Sequence, residues 1–364
     1  MSSCVIFGGS GFIGTHLARH LLKTGRFRKV HIADIEPSSL ENQLGISYSR
    51  TDVRLPISSA LTDEQPEWIF NLAAVHREPG HEAHEYFDTN IPGARNVCRY
   101  AEEVDCRNVY FTSSISVYGP TDGPTSESSP IRPSTPYGGS KYPAECIHEA
   151  WLSAVSDRRL IIARPGVVYG PGDPGNIMRM IRAIRKGYFA FPGRRDIHKS
   201  YAYIYGLIDS IDFTMNRDER LLCYNYVETP TEPLRDIVSK VKSFLNCRAL
   251  VLPLPLALLV PLSRLVQAIM GGRSPIHPVR VRKTATPTYI IPQTLKDLGF
   301  RFKYDFLGSL RHWAAVRPED FDFAPGIHEQ GRSSLKMLKP GEESQAVTSE
   351  DALVQPEDVK AERS

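Results

Sequence analysis

Residues 8–14 read Gly-Gly-Ser-Gly-Phe-Ile-Gly, directly after the apolar run Cys4-Val5-Ile6-Phe7 and at the start of an amphipathic stretch over 12–22. A strand that ends in such a loop and passes straight into a helix has few folding options. Glycines at 8, 11 and 14 allow a tight turn, close approach of a ligand to the backbone, and close packing of helix on strand. The helix start then presents unpaired N–H groups to an anion, most naturally a diphosphate. Gly8, Gly11, Phe12, Ile13 and Gly14 are therefore the candidate diphosphate contacts. Asp34 closes the next apolar run, twenty residues after Gly14. A carboxylate there accepts hydrogen bonds from an adenosine ribose and repels a 2′-phosphate, which selects NAD over NADP.

The same alternation continues. Strands are expected over 5–7, 30–33, 46–48, 68–72, 109–112 and 160–163, with helices over 12–22, 82–102 and 136–155. Strand and helix in turn predict a parallel sheet covered on both faces, an α/β fold of the Rossmann-type doubly wound class. After Gly170 the pattern is less regular. Helices are expected over 176–186, 208–215, 233–245 and 294–298, the last ending at Gly299, and a strand over 201–205. The expected organisation is an NAD-binding unit over 1–170 that carries the catalytic residues, and a smaller C-terminal α/β substrate region over 171–325. Some strands of that region return to the main sheet. From about residue 330 to 364 the chain turns polar and too poor in apolar residues to order itself, so a disordered tail is expected.

Tyr137-Gly138-Gly139-Ser140-Lys141 opens the helix expected over 136–155. A tyrosine holds its proton to about pH 10. An ammonium four residues on lies one helical turn away, on the same face, and favours the phenolate. A pair at this spacing alone is a common solvated helix face. Its meaning comes from the motifs upstream.

In order, the chain carries the G-x-x-G-x-x-G loop, Asp52-Val53-Arg54, Asn71-Leu72-Ala73-Ala74, Ser113-Ser114-Ile115-Ser116-Val117-Tyr118-Gly119, and the Tyr137/Lys141 pair. This set resembles the extended short-chain dehydrogenase/reductase family, in its NAD-dependent nucleotide-sugar epimerase/dehydratase branch. The resemblance runs from about Cys4 to Pro174 and more weakly to about Trp313. It implies catalytic roles for Ser114, Tyr137 and Lys141. It implies that Asp52 and Val53 bracket the adenine, that Leu72, Ala73 and Ala74 line the cofactor, and that Asn90 supports the site from its helix as a cofactor-side residue. Arg164-Pro165-Gly166-Val167 matches a segment running past the nicotinamide, which makes Pro165 and Val167 cofactor contacts. Ser114, Ser116, Tyr137 and Asn176 are the substrate-side residues; the segment 199–206 departs from the family pattern, and there Lys199 offers a diphosphate a point charge, with Arg282 or Arg280 as a second contact or else part of a solvated basic run.

By the same resemblance, Tyr137 takes a proton from a sugar hydroxyl while the carbon beneath gives hydride to NAD⁺, and Lys141 holds the cofactor ribose. Dehydratases of this branch follow the Ser/Thr with an acidic pair. Ile115 and Ser116 stand there instead, and neither can act as a strong acid or base. The leading expectation is thus an NAD-dependent epimerase of a nucleotide sugar at its 4-position, with a UDP-hexose or UDP-N-acetylhexosamine as substrate. An oxidoreductase acting on a 4-keto nucleotide sugar or a steroid-like alcohol, and a non-catalytic NAD-sensing protein, stay open as rivals. A homodimer is implied, through the helices over 82–102 and 136–155.

The remaining composition sets bounds. A net charge of +3 gives no case for nucleic acid. Six scattered cysteines without a metal-like spacing suggest reduced thiols and a cytoplasmic protein, and no basic leader precedes the first strand. His81 and His84 form no metal pattern, and His76 is read as a loop histidine without a role, with a contact to the sugar as the alternative. Residues 250–270 are strongly apolar, but Pro253, Pro255, Pro261 and Arg264 interrupt them, short of the ~20 residues a membrane span needs. A buried helix is expected there, with a weak peripheral membrane contact as the alternative.

Overall fold

The computed structural model describes residues 2–173, 175–270 and 277–321. The tail expected over 330–364 lies outside the described residues, as does Pro174. The frame is a parallel sheet of seven strands: β1 (Ser3–Phe7), β2 (Lys29–Asp34), β3 (Ile46–Arg50), β4 (Trp68–Asn71), β5 (Asn108–Thr112), β6 (Arg159–Pro165) and β7 (Leu221–Tyr226). Their spatial order is β7-β6-β5-β4-β1-β2-β3. The chain leaves β1 toward β2 and β3 and then returns to its other side for β4, so a crevice opens between β1 and β4 at their carboxyl ends.

The central strands read as continuous apolar runs because both faces of the sheet are covered. Along β1 the side chains alternate between two cores. Cys4 and Ile6 join Leu17 and Leu21 of helix α1 (Phe12–Lys23) on one face. Val5 and Phe7 join Val97 and Tyr100 of α2 (Ala83–Glu103), with Trp151 and Leu152 of α3 (Pro136–Ala154), on the other. Register puts the functional loops on one rim. Phe7 pairs with both Ala33 and Asn71, and Asn71 pairs with Phe111. Gly8, Asp34, Leu72 and Ser113 thus sit at or just past neighbouring strand ends.

The second half adds α4 (Asn176–Arg185), α5 (Ile204–Met215), α6 (Leu234–Phe244), α7 (Leu256–Met270), α8 (Pro278–Ala285), α9 (Gln293–Asp297) and α10 (Phe306–Val316). Two sequence expectations need correction. The strand expected over 201–205 stops at Tyr203, where its pairing with Val167–Tyr169 ends, and Ile204 opens α5. The helix within 250–270 forms, but it is not buried. Leu250–Leu254 is instead a strand pairing with Tyr188–Pro192, and α7 after it leaves Leu258, Leu262, Leu265 and Ile269 exposed. Apolar composition gives burial only when another element covers the face, and none of the described residues does so.

Candidate active site

Gly8 has φ of +77°, and a Cβ there would lie 2.6 Å from the Ala73 backbone nitrogen. The loop after β1 can therefore touch the loop after β4 only because residue 8 is glycine. This contact makes the floor of the crevice. The first turn of α1 carries no acidic side chain, and its N-cap Gly11 supplies no capping hydrogen bond, so its N–H groups are left for an anion. Asp34 is held rigidly: Oδ2 accepts from Ser10 N–H (3.0 Å) and Oδ1 from Glu36 N–H (3.1 Å). On the far side, Asp52 takes a bidentate hydrogen bond from Arg54, which holds its carboxyl below the usual range. Val53 is buried beneath, its carbonyl accepting from Asn96. The glycine cradle, the uncapped helix start and the fixed Asp34 carboxylate fit a dinucleotide with a free ribose hydroxyl.

The catalytic candidates converge beside this crevice. Thr135 caps α3 by accepting from Gly138 N–H (3.2 Å), and Pro136 occupies the first turn. A Cβ on Gly138 would lie 2.3 Å from the Ser116 carbonyl oxygen. Glycine at 138 thus lets the start of α3 press against the Ser114–Ser116 turn. The Tyr137 hydroxyl then comes close enough to Ser114 for that serine to favour the phenolate. Ser114 Oγ also accepts from Ser116 N–H (3.1 Å) and donates to Ser116 Oγ (3.1 Å). Burial pushes the Tyr137 phenol up to about 12 and the Lys141 amine down to about 7. Lys141 lies one turn along α3, its Nζ 4.3 Å from the centre of the Phe111 ring. His148 stacks on that same ring at 4.1 Å, and burial lowers it to about 4, so it is neutral and adds no positive charge near Lys141.

Behind the reacting groups lies a buried network that no motif announced. Glu145, one turn past Lys141, accepts two hydrogen bonds from Arg164 (2.9 and 2.6 Å). Arg164 also donates to the Tyr118 hydroxyl (2.8 Å), which donates to Asn225 (2.9 Å). The pair ties α3 to β6 and β7, and its opposed charges compensate each other out of water. Glu145 also counteracts the effect of burial on Lys141. The i, i+4 spacing from Lys141 to Glu145 was visible in the sequence; the partner arginine was not.

Several residues named from the sequence take other work. Asn90 spends its amide on Val75 N–H, the Val75 carbonyl and Ser140 Oγ, so it braces the loop after β4. Pro165 ends β6 opposite Tyr226, and Val167 pairs with Tyr201, both on the segment that leaves the rim. Lys199 is buried and donates to the carbonyls of Lys283 (3.2 Å) and Thr286 (2.7 Å). It closes the carboxyl end of α8 and is not a free charge for a diphosphate. Asn176, at the start of α4, accepts from Arg179 (2.9 Å). Burial lowers the Arg179 pKa, and the charge of Arg280 lowers it further. Arg282 is exposed on α8, so Arg280 is the residue of that pair whose charge reaches Arg179. Glu78, which sequence reading passed over, bonds Lys283 at 3.1 Å, and its charge reaches Tyr137.

Comparison with known proteins now has a geometry to meet. Residues 4–221 match the model of the NAD dependent epimerase/dehydratase family. The chain is 30% identical over 311 residues to N-acetyl-alpha-D-glucosaminyl-diphospho-ditrans,octacis-undecaprenol 4-epimerase of Escherichia coli O157:H7, covering 82% of this chain and 90% of that protein. It is 28% identical to a UDP-glucose 4-epimerase of Lactobacillus helveticus, over 48% of this chain and about half (54%) of that one. In fold it is similar to UDP-glucuronic acid 4-epimerase from Bacillus cereus in complex with UDP-glucuronic acid and NAD, with TM-score 0.69 and 19% identity over 87% of this chain and 99% of that one. The chain therefore belongs to the NAD-dependent epimerase/dehydratase family, and NAD is its cofactor.

Proposed function

We propose that the protein is an NAD-dependent 4-epimerase of an N-acetylhexosamine or hexose carried on a diphosphate. The observation that carries this reading is the approach of Tyr137 to Ser114 beside the glycine cradle, with Lys141 one turn away and no acid at 115 or 116. Bound NAD supplies the hydride acceptor and donor. The chain's own part is to hold and move one proton at Tyr137 Oη. Ser114 aligns the sugar hydroxyl, and Tyr137 takes its proton as the carbon is oxidised and returns it when the hydride comes back. Protonated Lys141 and anionic Tyr137 stabilise each other, and Glu145 favours the charged lysine.

Ile115 is apolar and Ser116 is a weak acid and base, so elimination of water from the sugar has no proton carrier there. Arg179, Arg280 and Asn176 form a cationic, hydrogen-bonding cluster suited to the substrate diphosphate. Exposed Phe87 on α2 and Tyr142 on α3 support pairing with a second copy through those helices. Six free thiols agree with a reducing, cytoplasmic setting. Incubation with UDP-N-acetylglucosamine or its polyprenyl-diphosphate counterpart, without added cofactor, tests the reaction. The expected result is the 4-epimer with no net NADH; stoichiometric consumption of added NADH identifies a reductase instead.

A further inference from the structure

The exposed side of α7 is a line of large apolar side chains at helical spacing. Leu258, Leu262, Leu265 and Ile269 are 65, 52, 58 and 75% exposed, while the other side carries buried Ser263. Leu250 and Leu252 of the strand before it are exposed too. An apolar line of this kind on an ordinary soluble surface needs an occupant. Its chemistry is written in the charge around it. From 237 to 296 the chain has no Asp or Glu and nine Lys or Arg, in a protein that otherwise balances 44 basic against 41 acidic residues. Arg264 on α7 and Arg282 on α8 are exposed within this stretch.

An apolar helix face within a stretch of chain whose only charged side chains are cations is complementary to a surface that is anionic outside and hydrocarbon within. A second protein copy offers no such match, since this face would set cations against cations. At 15 residues α7 is too short to cross a bilayer, and no helix among the described residues is long and apolar enough to do so. The helix also sits beside the site. It packs on α8, whose Lys283 bonds Glu78, and the Glu78 charge is felt at Tyr137.

We propose that α7 docks the protein on an anionic lipid bilayer by its Leu258–Leu262–Leu265–Ile269 face, so that the site takes a sugar diphosphate whose carrier is a membrane-embedded lipid. This deepens the reading above and rests on it for the reaction, but not for the docking.

The test is flotation of the full chain with vesicles of phosphatidylethanolamine and phosphatidylglycerol, against vesicles of phosphatidylcholine alone. The wild type is expected to float with the anionic vesicles and release in high salt. Leu258→Glu with Leu265→Glu, both on the exposed face, weakens that partition by about tenfold or more, with melting temperature and NAD content unchanged. Failure of the wild type to float, or equal flotation of the variant, overturns the docking. So does a variant that turns a dimer into a monomer while still floating, since a second copy then covers the face. Flotation without epimerisation removes the reaction and leaves the docking; epimerisation without flotation removes the docking alone.

Discussion

Lys141 should make the NAD-free protein more stable as pH rises. The amine is 1% exposed, and its pKa is pushed down to about 7 by burial, with Glu145 offering partial compensation. In the unfolded chain a lysine titrates near about 10.4. Between these values the unfolded state binds a proton that the folded state does not, so unfolding is favoured by protons and stability climbs with pH. At pH 7 the buried amine costs roughly 4 kcal/mol relative to a neutral group, and at pH 9 roughly 2 kcal/mol. Lys141→Met keeps an unbranched chain of similar length and removes the titration. It forfeits the contact with Phe111, worth about 0.5–2 kcal/mol. The variant is therefore expected to exceed the wild type by roughly 2–4 kcal/mol at pH 7, with the advantage shrinking by roughly 2 kcal/mol at pH 9. Urea unfolding of NAD-stripped protein at both pH values reads this directly. An advantage that is the same at pH 7 and pH 9 refutes the reasoning, because it means that Lys141 keeps its proton in the folded site.

Three further perturbations separate binding, positioning and stability. Asp34→Ala leaves Ser10 N–H and Glu36 N–H without their acceptor, and is expected to weaken NAD about tenfold and narrow its advantage over NADP in equilibrium titrations. Gly138→Ala places a methyl group against the Ser116 carbonyl and shifts Tyr137 from Ser114; kcat should fall about 100-fold while the NAD Kd holds, which steady-state and binding measurements distinguish. Glu145→Gln strands the Arg164 charge in the interior and should cost about 3–5 kcal/mol in denaturant unfolding, with a melting temperature that drops accordingly.

What the sequence disclosed and what it hid divide along a physical line. The crevice was legible because each of its parts acts within one strand, turn and helix: Gly8 through Gly14, Asp34, Ser114, and the Tyr137/Lys141 pair. Residues so placed are set by backbone geometry a few positions away. Lys199 was misread because its partners, the carbonyls of Lys283 and Thr286, lie 84 and 87 residues on. Asn90 was read as a support on the cofactor side, but its partners, Val75 and Ser140, fifteen and fifty residues distant, could not be read from the sequence. The strand β7 escaped notice because Leu221-Leu222-Cys223-Tyr224-Asn225-Tyr226 follows a polar loop with no glycine signal, and only pairing with β6 makes it a strand. The helix over 256–270 was visible as a helix, but its exposure depends on what fails to pack over it, which local pattern cannot report.

The same division explains why family and substrate are unequally determined. Cofactor chemistry depends on short-range turns that the first 170 residues supply. Substrate choice depends on which charges survive the packing of the second half. Lys199 does not survive it, because the α8 carbonyls hold its amine. Arg179 of α4 feels the charge of Arg280 of α8. One face of the same α8 rests on the apolar α7. Arg280 thus stands one helix from an exposed hydrocarbon surface.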